Sequence, residues 1–200
     1  MSTAEMVDHD RRRFLTASAT VVGGVGAAFV AVPFLASWAP SERARAAGAP
    51  VEVDISRLEP GARLVVEWRG RPIWVLNRTD TMMELLPEVV SDLRDPESNE
   101  SQQPPYTQNS IRARESMPNI FVAIGVCTHL GCSPQYRPEI APDDLGPNWK
   151  GGFFCACHGS RFDLAGRVFR GVPAPTNLVI PPYAFISDTR LLVGDDSEAA

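Results

Sequence analysis

The sequence predicts a mainly antiparallel β domain that follows a single N-terminal transmembrane helix. Residues 17–40 contain no ionisable side chain, so they can form an apolar helix long enough to cross a bilayer. From residue 51 onwards, short segments rich in β-branched and aromatic residues alternate with turns. The 18 prolines and 15 glycines argue against an all-helical body.

The composition bounds the classes of function. A length of 200 residues with 44% hydrophobic and 22% charged residues suits one folded domain and an additional segment. The formal net charge of -5 gives no basic field for a phosphate backbone, and lysine and arginine do not cluster with aromatic residues. We therefore expect no nucleic acid partner.

The N-terminus resembles a twin-arginine export signal. In the stretch DRRRFLT, Arg11 and Arg12 stand shortly before Phe14, and the apolar run follows at once. Residues 1–16 are therefore expected to be cytoplasmic, and a helix over residues 17–40, roughly 36 Å long, would cross the membrane once. The motif places the C-terminal domain outside the cytoplasm.

Cleavage of this segment is the competing interpretation. The sequence Ala44-Arg45-Ala46 has the small-x-small form that signal peptidases accept. The apolar run is, however, longer than the roughly 7 to 15 residues of a typical cleaved signal. We therefore predict a retained anchor.

Residues 41–50 read as a flexible hinge, because they are small and polar and lack large apolar side chains. The head is expected to span residues 51–200. Its first strands are VEVDI, ARLVVEW and IWVLN, of which the last two form a hairpin with a turn at residues 69–72. Thr79 is a candidate N-cap for an amphipathic helix that continues to about Leu93. The strand NIFVAIGV then leads directly into the first of two unusual hexapeptides.

These hexapeptides, CTHLGC from Cys127 and CACHGS from Cys155, hold all four cysteines and two of the three histidines. Thiolate and imidazole are ligands for zinc, copper and iron–sulfur clusters. The residues alone leave three arrangements open: a tetrahedral zinc with any four ligands, a cluster with four thiolates, or a mixed site with two of each ligand. Four thiolates would leave His129 and His158 without a role. The mixed site uses both histidines and leaves two cysteines, which outside the cytoplasm are expected to form a disulfide.

With these residues, the chain resembles the Rieske iron–sulfur subunit of a quinol:cytochrome c oxidoreductase, the bacterial cytochrome bc complex. The family patterns C-x-H-x-G-C and C-x-C-H-G-S both occur intact, and the signal, span, hinge and β-rich head also match. The resemblance implies a Rieske-type head whose cluster-binding part covers about residues 119–176. It also implies one 2Fe–2S cluster with iron ligands Cys127, His129, Cys155 and His158, and a disulfide between Cys132 and Cys157.

The resemblance also implies roles for residues around the cluster. Ser160 would donate its hydroxyl to a cluster sulfur, whereas Phe162 stands where many members have a donating tyrosine. Because phenylalanine cannot donate a hydrogen bond, we expect a lower reduction potential than in those relatives. Gly171-Val172-Pro173-Ala174-Pro175 would form a stiff loop over the cluster, and Leu130 and Gly131 would lie at the tip that faces a partner. We assign no role to residues 137–152.

The implied function is electron transfer from quinol to the c-type cytochrome of the complex, coupled to proton release outside the cytoplasm, with His129 and His158 as the catalytic residues. Histidine ligands raise the potential of such clusters to about -150 to +300 mV, against about -400 mV for plant-type ferredoxins.

The expected partners are the cytochrome b subunit, the c-type cytochrome subunit, quinol and the membrane, in a dimeric complex. The chain would be one subunit of this oxidoreductase and translocase, and not a complete enzyme alone. It would be a single-pass protein of the cell inner membrane with its head in the periplasm. A Rieske subunit of another oxidase and a structural zinc module are the alternatives.

Overall fold

The computed structural model describes residues 8–195 and 197. The expected cytoplasmic segment 1–16 therefore lies partly outside the described residues, as does the end of the predicted head. The chain divides into two compact units, Met1–Ala46 and Ala47–Ala200. The first unit is built on one long helix, and the second holds the sheets.

Helix α1, His9–Ala36, is the predicted apolar helix. Asp8 is its N-cap, and its side chain accepts hydrogen bonds from the backbone N–H groups of Asp10 and Arg11. The helix is long and apolar enough to cross a membrane, with a mean hydropathy of 2.0 in its most apolar window. It ends before the expected residue 40, because Ser37 and Trp38 form a turn ahead of Pro40, whose ring disfavours a helical residue before it.

The segment expected to be a hinge, residues 41–50, contains regular structure. A short helix α2, Glu42–Gly48, occupies most of this segment. Its sequence ERARAAG is rich in alanine and arginine, which have the highest helix propensities. The lack of large apolar side chains predicts a flexible segment, whereas the helix propensity of these same residues favours α2.

The strands in the described residues of the head are β1 Val51–Asp54, β2 Arg63–Trp68, β3 Arg71–Asn77, β4 Ile120–Ile124, β5 Gln135–Ile140, β6 Lys150–Cys155, β7 Ser160–Phe162, β8 Tyr183–Ser187 and β9 Arg190–Val193. They form three antiparallel sheets of three strands each, with the orders β1-β9-β8, β2-β3-β4 and β5-β6-β7. The predicted β2–β3 hairpin is confirmed, with Trp68 paired to Arg71 across the turn.

The helix predicted from Thr79 to about Leu93 is wrong in its length. Thr79 is the N-cap as predicted, and its side chain accepts from the backbone N–H of Met82. The α-helix, α3, covers only Asp80–Leu85, and a 3-10 helix continues over Pro87–Asp92. Pro87 explains the break, since proline has no N–H to donate and its ring collides with the preceding turn.

The hairpin of β5 and β6 was not predicted. It spans the segment 137–152, to which no role was assigned, and Pro138, Gly151 and Gly152 obscure its strand pattern in the sequence. Strands β8 and β9 follow near the C-terminus and pair with each other. Between β7 and β8, residues 167–169 form only isolated bridges, in which Val168 pairs with Phe162 and Phe169 pairs with Leu93.

A buried arginine connects the segments that flank the site. Arg112 is fully buried, and its guanidinium donates to the carbonyls of Ala165, Gly166 and Leu178 at 3.2, 3.1 and 2.6 Å. Burial lowers the pKa of Arg112 to about 9, against the opposing attraction of Asp163. The charged side chain therefore fixes the chain on both sides of residues 167–177.

Candidate metal centre

The two hexapeptides form similar turns at the ends of two strands. The first begins three residues after β4, and the second begins at Cys155, the last residue of β6. In each, the glycine N–H donates to the carbonyl of the first cysteine: Gly131 to Cys127 at 3.1 Å and Gly159 to Cys155 at 2.9 Å. Both glycines have positive φ, +86° and +78°, which other residues adopt only with strain.

The four cysteines separate into two kinds. Cys132 and Cys157 form a disulfide with a Cα–Cα distance of 6.7 Å, which confirms the predicted pair. Cys127 and Cys155 carry free thiols, and both are buried. The Cys155 sulfur lies within 4.8 Å of both disulfide sulfurs. Since the disulfide sulfurs are bonded to each other, they are not free to act as thiolate ligands.

The two histidines face each other across the loops. The ring centroids of His129 and His158 are 4.8 Å apart, and the rings are nearly perpendicular, at 89°. His129 is half-buried and His158 is exposed. The fold therefore brings both imidazoles to one place, at the surface of the head.

The donors present fit a mixed iron–sulfur site. Burial raises the pKa of the Cys155 thiol, and its interaction with the Cys127 thiol adds to this effect. A buried thiol favours its neutral form unless a cation compensates the charge of the thiolate, and a bound metal ion does so. The other two donors are imidazoles, the pair that a Rieske centre combines with two thiolates.

Ser160 and Phe162 belong to β7 and are both fully buried. The Ser160 hydroxyl oxygen accepts from the backbone N–H of Ala174 at 3.1 Å. Its hydrogen therefore points away from that contact and stays available for another acceptor. Phe162 pairs with Phe153 of the neighbouring strand.

The predicted covering loop, residues 171–175, is attached to both hexapeptides. Besides the contact of Ala174 with Ser160, Thr128 donates its hydroxyl to the carbonyl of Thr176 at 2.7 Å. Arg94 donates to the carbonyl of Pro175 at 2.9 Å from 81 positions away in the sequence. Thr128 and Arg94 were missed by the sequence analysis. Thr128 could have been found as the only hydroxyl in its hexapeptide, whereas no local signal identifies Arg94.

The residues expected at the tip differ in exposure. Leu130 is 71% exposed, which is unusual for a large apolar side chain beside buried cysteines. Gly131, Gly171, Pro173 and Pro175 are exposed as well, whereas Ala174 is buried. The loops thus present an apolar side chain to their surroundings and anchor the covering loop through Ala174.

Comparisons with known proteins agree with this geometry. The model of the family "Rieske [2Fe-2S] domain" matches residues 96–184, and "Ubiquitinol-cytochrome C reductase Fe-S subunit TAT signal" matches residues 1–41. A "Ubiquinol-cytochrome c reductase iron-sulfur subunit" of Allochromatium vinosum is 58% identical over 99% of this chain and 95% of its own length. The subunit of the same name from Bradyrhizobium diazoefficiens is 40% identical over 97% of this chain and 100% of its own length.

Among solved structures, a chain of "Hyperthermophilic respiratory Complex III" gives a TM-score of 0.47 at 26% identity, with 90% of this chain and 98% of that chain covered.

The fold and the two loops define a Rieske protein, which carries a 2Fe–2S cluster. Its twin-arginine signal and apolar helix fit membrane anchoring. With relatives at this identity over nearly its whole length, the chain belongs to the family of ubiquinol-cytochrome c reductase iron-sulfur subunits. The alternatives of a zinc module and of another oxidase are therefore set aside.

Proposed function

We propose that Cys127 and Cys155 bind one iron of the cluster and that His129 and His158 bind the other. The observation that carries this assignment is the separation of the donors: two thiols are free, buried and in contact, and two imidazoles face each other at 4.8 Å. The remaining two cysteines are bonded to each other. When bound, the cluster accepts one electron and passes it on.

The protein side chains supply binding and proton chemistry in this proposal. An imidazole that binds a metal through one ring nitrogen leaves the other free, so the exposed His158 and the half-buried His129 would each have an outer nitrogen available. These outer nitrogens accept a hydrogen bond from a quinol hydroxyl, hold its proton and release it outside the cytoplasm. The covering loop 171–175 and the disulfide exclude water and fix the separation of the two ligand loops.

The setting of this activity is proposed from the relatives. The Allochromatium vinosum relative is named for ubiquinol–cytochrome c reductase. We infer that this chain acts in a dimeric cytochrome bc complex, with quinol as electron donor, cytochrome b as its docking partner and a c-type cytochrome as acceptor. The chain would contribute to proton translocation only within the complex.

The chain organisation follows from this role. Residues 1–16 are proposed to be cytoplasmic, residues 17–40 to cross the inner membrane and residues 51–200 to form the periplasmic head, with the cluster in about residues 119–176. Residues 41–50 connect the two parts, and helix α2 lies in this connection. If one cluster serves two partners, the head must move, and we propose this segment as the hinge.

The ligand assignment is tested by replacing the histidines. In the purified complex, His129→Ala and His158→Ala are each expected to abolish the electron paramagnetic resonance spectrum of mixed nitrogen and sulfur ligation and quinol-dependent cytochrome c reduction. His9→Ala is the matched control, because His9 is the third histidine and lies at the start of α1. If both alanine variants kept the cluster spectrum and its reduction potential, the assignment would be wrong.

A further inference from the structure

A cleft of about 550 Å³ lies beside the covering loop. Its floor and walls come from the 3-10 helix Pro87–Asp92, the end of the β5–β6 hairpin, strand β7 and the segment that leads into the covering loop. Its lining includes Trp149 and three charged residues, Arg161, Arg170 and Asp92. Gly159, the neighbour of His158, and Gly171, the first residue of the covering loop, also line it.

The cleft contains two arginines with unused donors. The Arg161 side chain makes no hydrogen bond or ion pair within the part of the chain that the structure describes. The Arg170 side chain donates from its Nε to the carbonyl of Leu93 at 2.8 Å, and its two terminal nitrogens have no hydrogen-bond partner among the same residues. Asp92 lines the same cleft, but it forms no ion pair with either arginine in the described structure. The cleft is therefore a cationic site on a chain whose net charge is -5.

The β5–β6 hairpin provides one rigid wall of this cleft. Arg137 pairs with Asp144 through two hydrogen bonds of 2.7 and 2.8 Å, and it accepts a bond from the Trp149 indole at its carbonyl, at 3.1 Å. The Trp149 ring stacks with Phe169 at a centroid distance of 6.1 Å. The hairpin therefore holds the tryptophan against the arginine-bearing segment and keeps the cleft open.

We propose that this cleft binds carboxylate side chains of an acidic segment on the partner subunit when the head docks. The guanidinium of arginine matches a carboxylate with two parallel hydrogen bonds. The position of the cleft, between the residue after His158 and the covering loop, places its occupant beside the proposed cluster. This inference rests on the proposed function, and it gives the β5–β6 hairpin the role of building a docking site.

The first test removes both charges in the assembled complex. Arg161→Gln combined with Arg170→Gln is expected to slow cytochrome c reduction about tenfold at low ionic strength, since the charged hydrogen-bond donors to the carboxylates are lost. The rate should also depend less on salt. The matched control is Arg57→Gln combined with Arg71→Gln, which changes the net charge equally at exposed sites outside the cleft. Iron content and the resonance spectrum should not change in either variant.

The outcome separates this inference from the proposed function. A wild-type complex without quinol-dependent activity would contradict the proposed function itself. A wild-type complex that turns over, together with a double variant of unchanged rate and salt dependence, would overturn only the docking site.

The second test identifies the occupant without loss of charge. Arg161→Lys places an amine in the cleft, and a carbodiimide then joins it to any carboxylate in contact. Mass spectrometry of the treated complex should find Lys-to-Asp or Lys-to-Glu links with another subunit. Links only to Asp92 or to other carboxylates of this chain, or no link at all, would overturn the proposal.

Discussion

Ser160 and Phe162 lie two positions apart on β7 and are equally buried, but only the serine can donate a hydrogen bond. Ser160 is oriented by the N–H of Ala174, so its hydroxyl has a defined direction. Phe162 fills its position with a ring that has no polar atom. The potential of the cluster is therefore expected to depend on whether the side chains at these two positions can donate a hydrogen bond.

Phe162→Tyr is expected to raise the midpoint potential of the cluster, because the new hydroxyl can donate to a ligand thiolate. The measurement is a redox titration followed by electron paramagnetic resonance, with Phe162→Leu as a control that adds no donor. If the hydroxyl found no acceptor, the protein would instead lose about 1–3 kcal/mol of stability. A midpoint that did not rise would contradict the role predicted for this position.

Whether a site residue could be predicted depends on whether its role follows from the local sequence pattern. The pairing of Cys132 with Cys157 followed from the family pattern and is confirmed. The ligand set remains a prediction that the facing histidines and free thiols support. The contact of Arg94 with Pro175 could not be predicted, because it joins distant segments only after the head has folded.

At the scale of elements, the pairing of β6 with β7 positions the second hexapeptide. Cys155 pairs with Ser160 across these strands, and Phe153 pairs with Phe162. Gly152 precedes this region with φ of +152°, and a Cβ at this position would lie 2.0 Å from the carbonyl oxygen of Phe162. The two backbones approach so closely that only glycine fits between them.

Gly152→Ala is therefore expected to cost about 3 kcal/mol of stability and to lower the cluster content of the purified protein. Gly70→Ala is the matched control, since Gly70 also has positive φ but no atom would lie within 4 Å of its Cβ; it should cost about 1–2 kcal/mol. Thermal unfolding and visible absorbance measure the two effects. Equal losses in both variants would rule out the close backbone contact as the cause.

Helix α2 changes the expected mechanics of the hinge. If the head moves by unfolding this helix, then stabilising the helix should slow the motion. Gly48→Ala is expected to stabilise α2 by about 1 kcal/mol, because a Cβ at Gly48 meets nothing within 4 Å, and to slow turnover by up to about fivefold without a change in the cluster spectrum.

Gly26→Ala is the control for the hinge variant. Gly26 lies inside α1 with the same open surroundings, so the substitution raises helix propensity away from the hinge. Turnover of the Gly48→Ala complex equal to that of the control would show that α2 does not unfold during the cycle.

The sequence pattern predicted some helices and strands correctly and missed others. Hairpin β2–β3 and the N-cap at Thr79 were predictable, because each depends on a local signal of a few residues. The early end of α3 was also local, but Pro87 was not weighed against the apolar periodicity. The β5–β6 hairpin was missed because its strands contain proline and glycine, and pairing with β7 stabilises it despite this local composition.

In the molecule as a whole, two tyrosines, one buried and one half-buried, give the head a contribution to stability that is lost at high pH. Burial raises the pKa of Tyr136 and of Tyr183 to about 12, above the ordinary value of about 10. The folded state therefore holds these protons more tightly than the unfolded state. This contribution is complete below pH about 10 and is lost as the pH rises towards 12.

Denaturant unfolding measures this loss. The titration should run from pH about 8 to pH about 12, a range set by these pKa values. Tyr136→Phe combined with Tyr183→Phe should be less stable at neutral pH, because the hydroxyl contacts with the Gly61 carbonyl and the Arg114 N–H are lost. Its stability should then fall less steeply above pH about 10. A decline as steep as that of the wild type would assign the alkaline loss to other groups.

The order in which the sheets are completed has a consequence for biosynthesis. Strands β5, β6 and β7 are consecutive, whereas β1 pairs with β9, with Val51 opposite Val193. During synthesis, the sheet that carries the second hexapeptide can therefore form before β9 has been made. The first and last strands of the head meet only once Arg190–Val193 has emerged, so a chain without β9 would leave β1 without its partner.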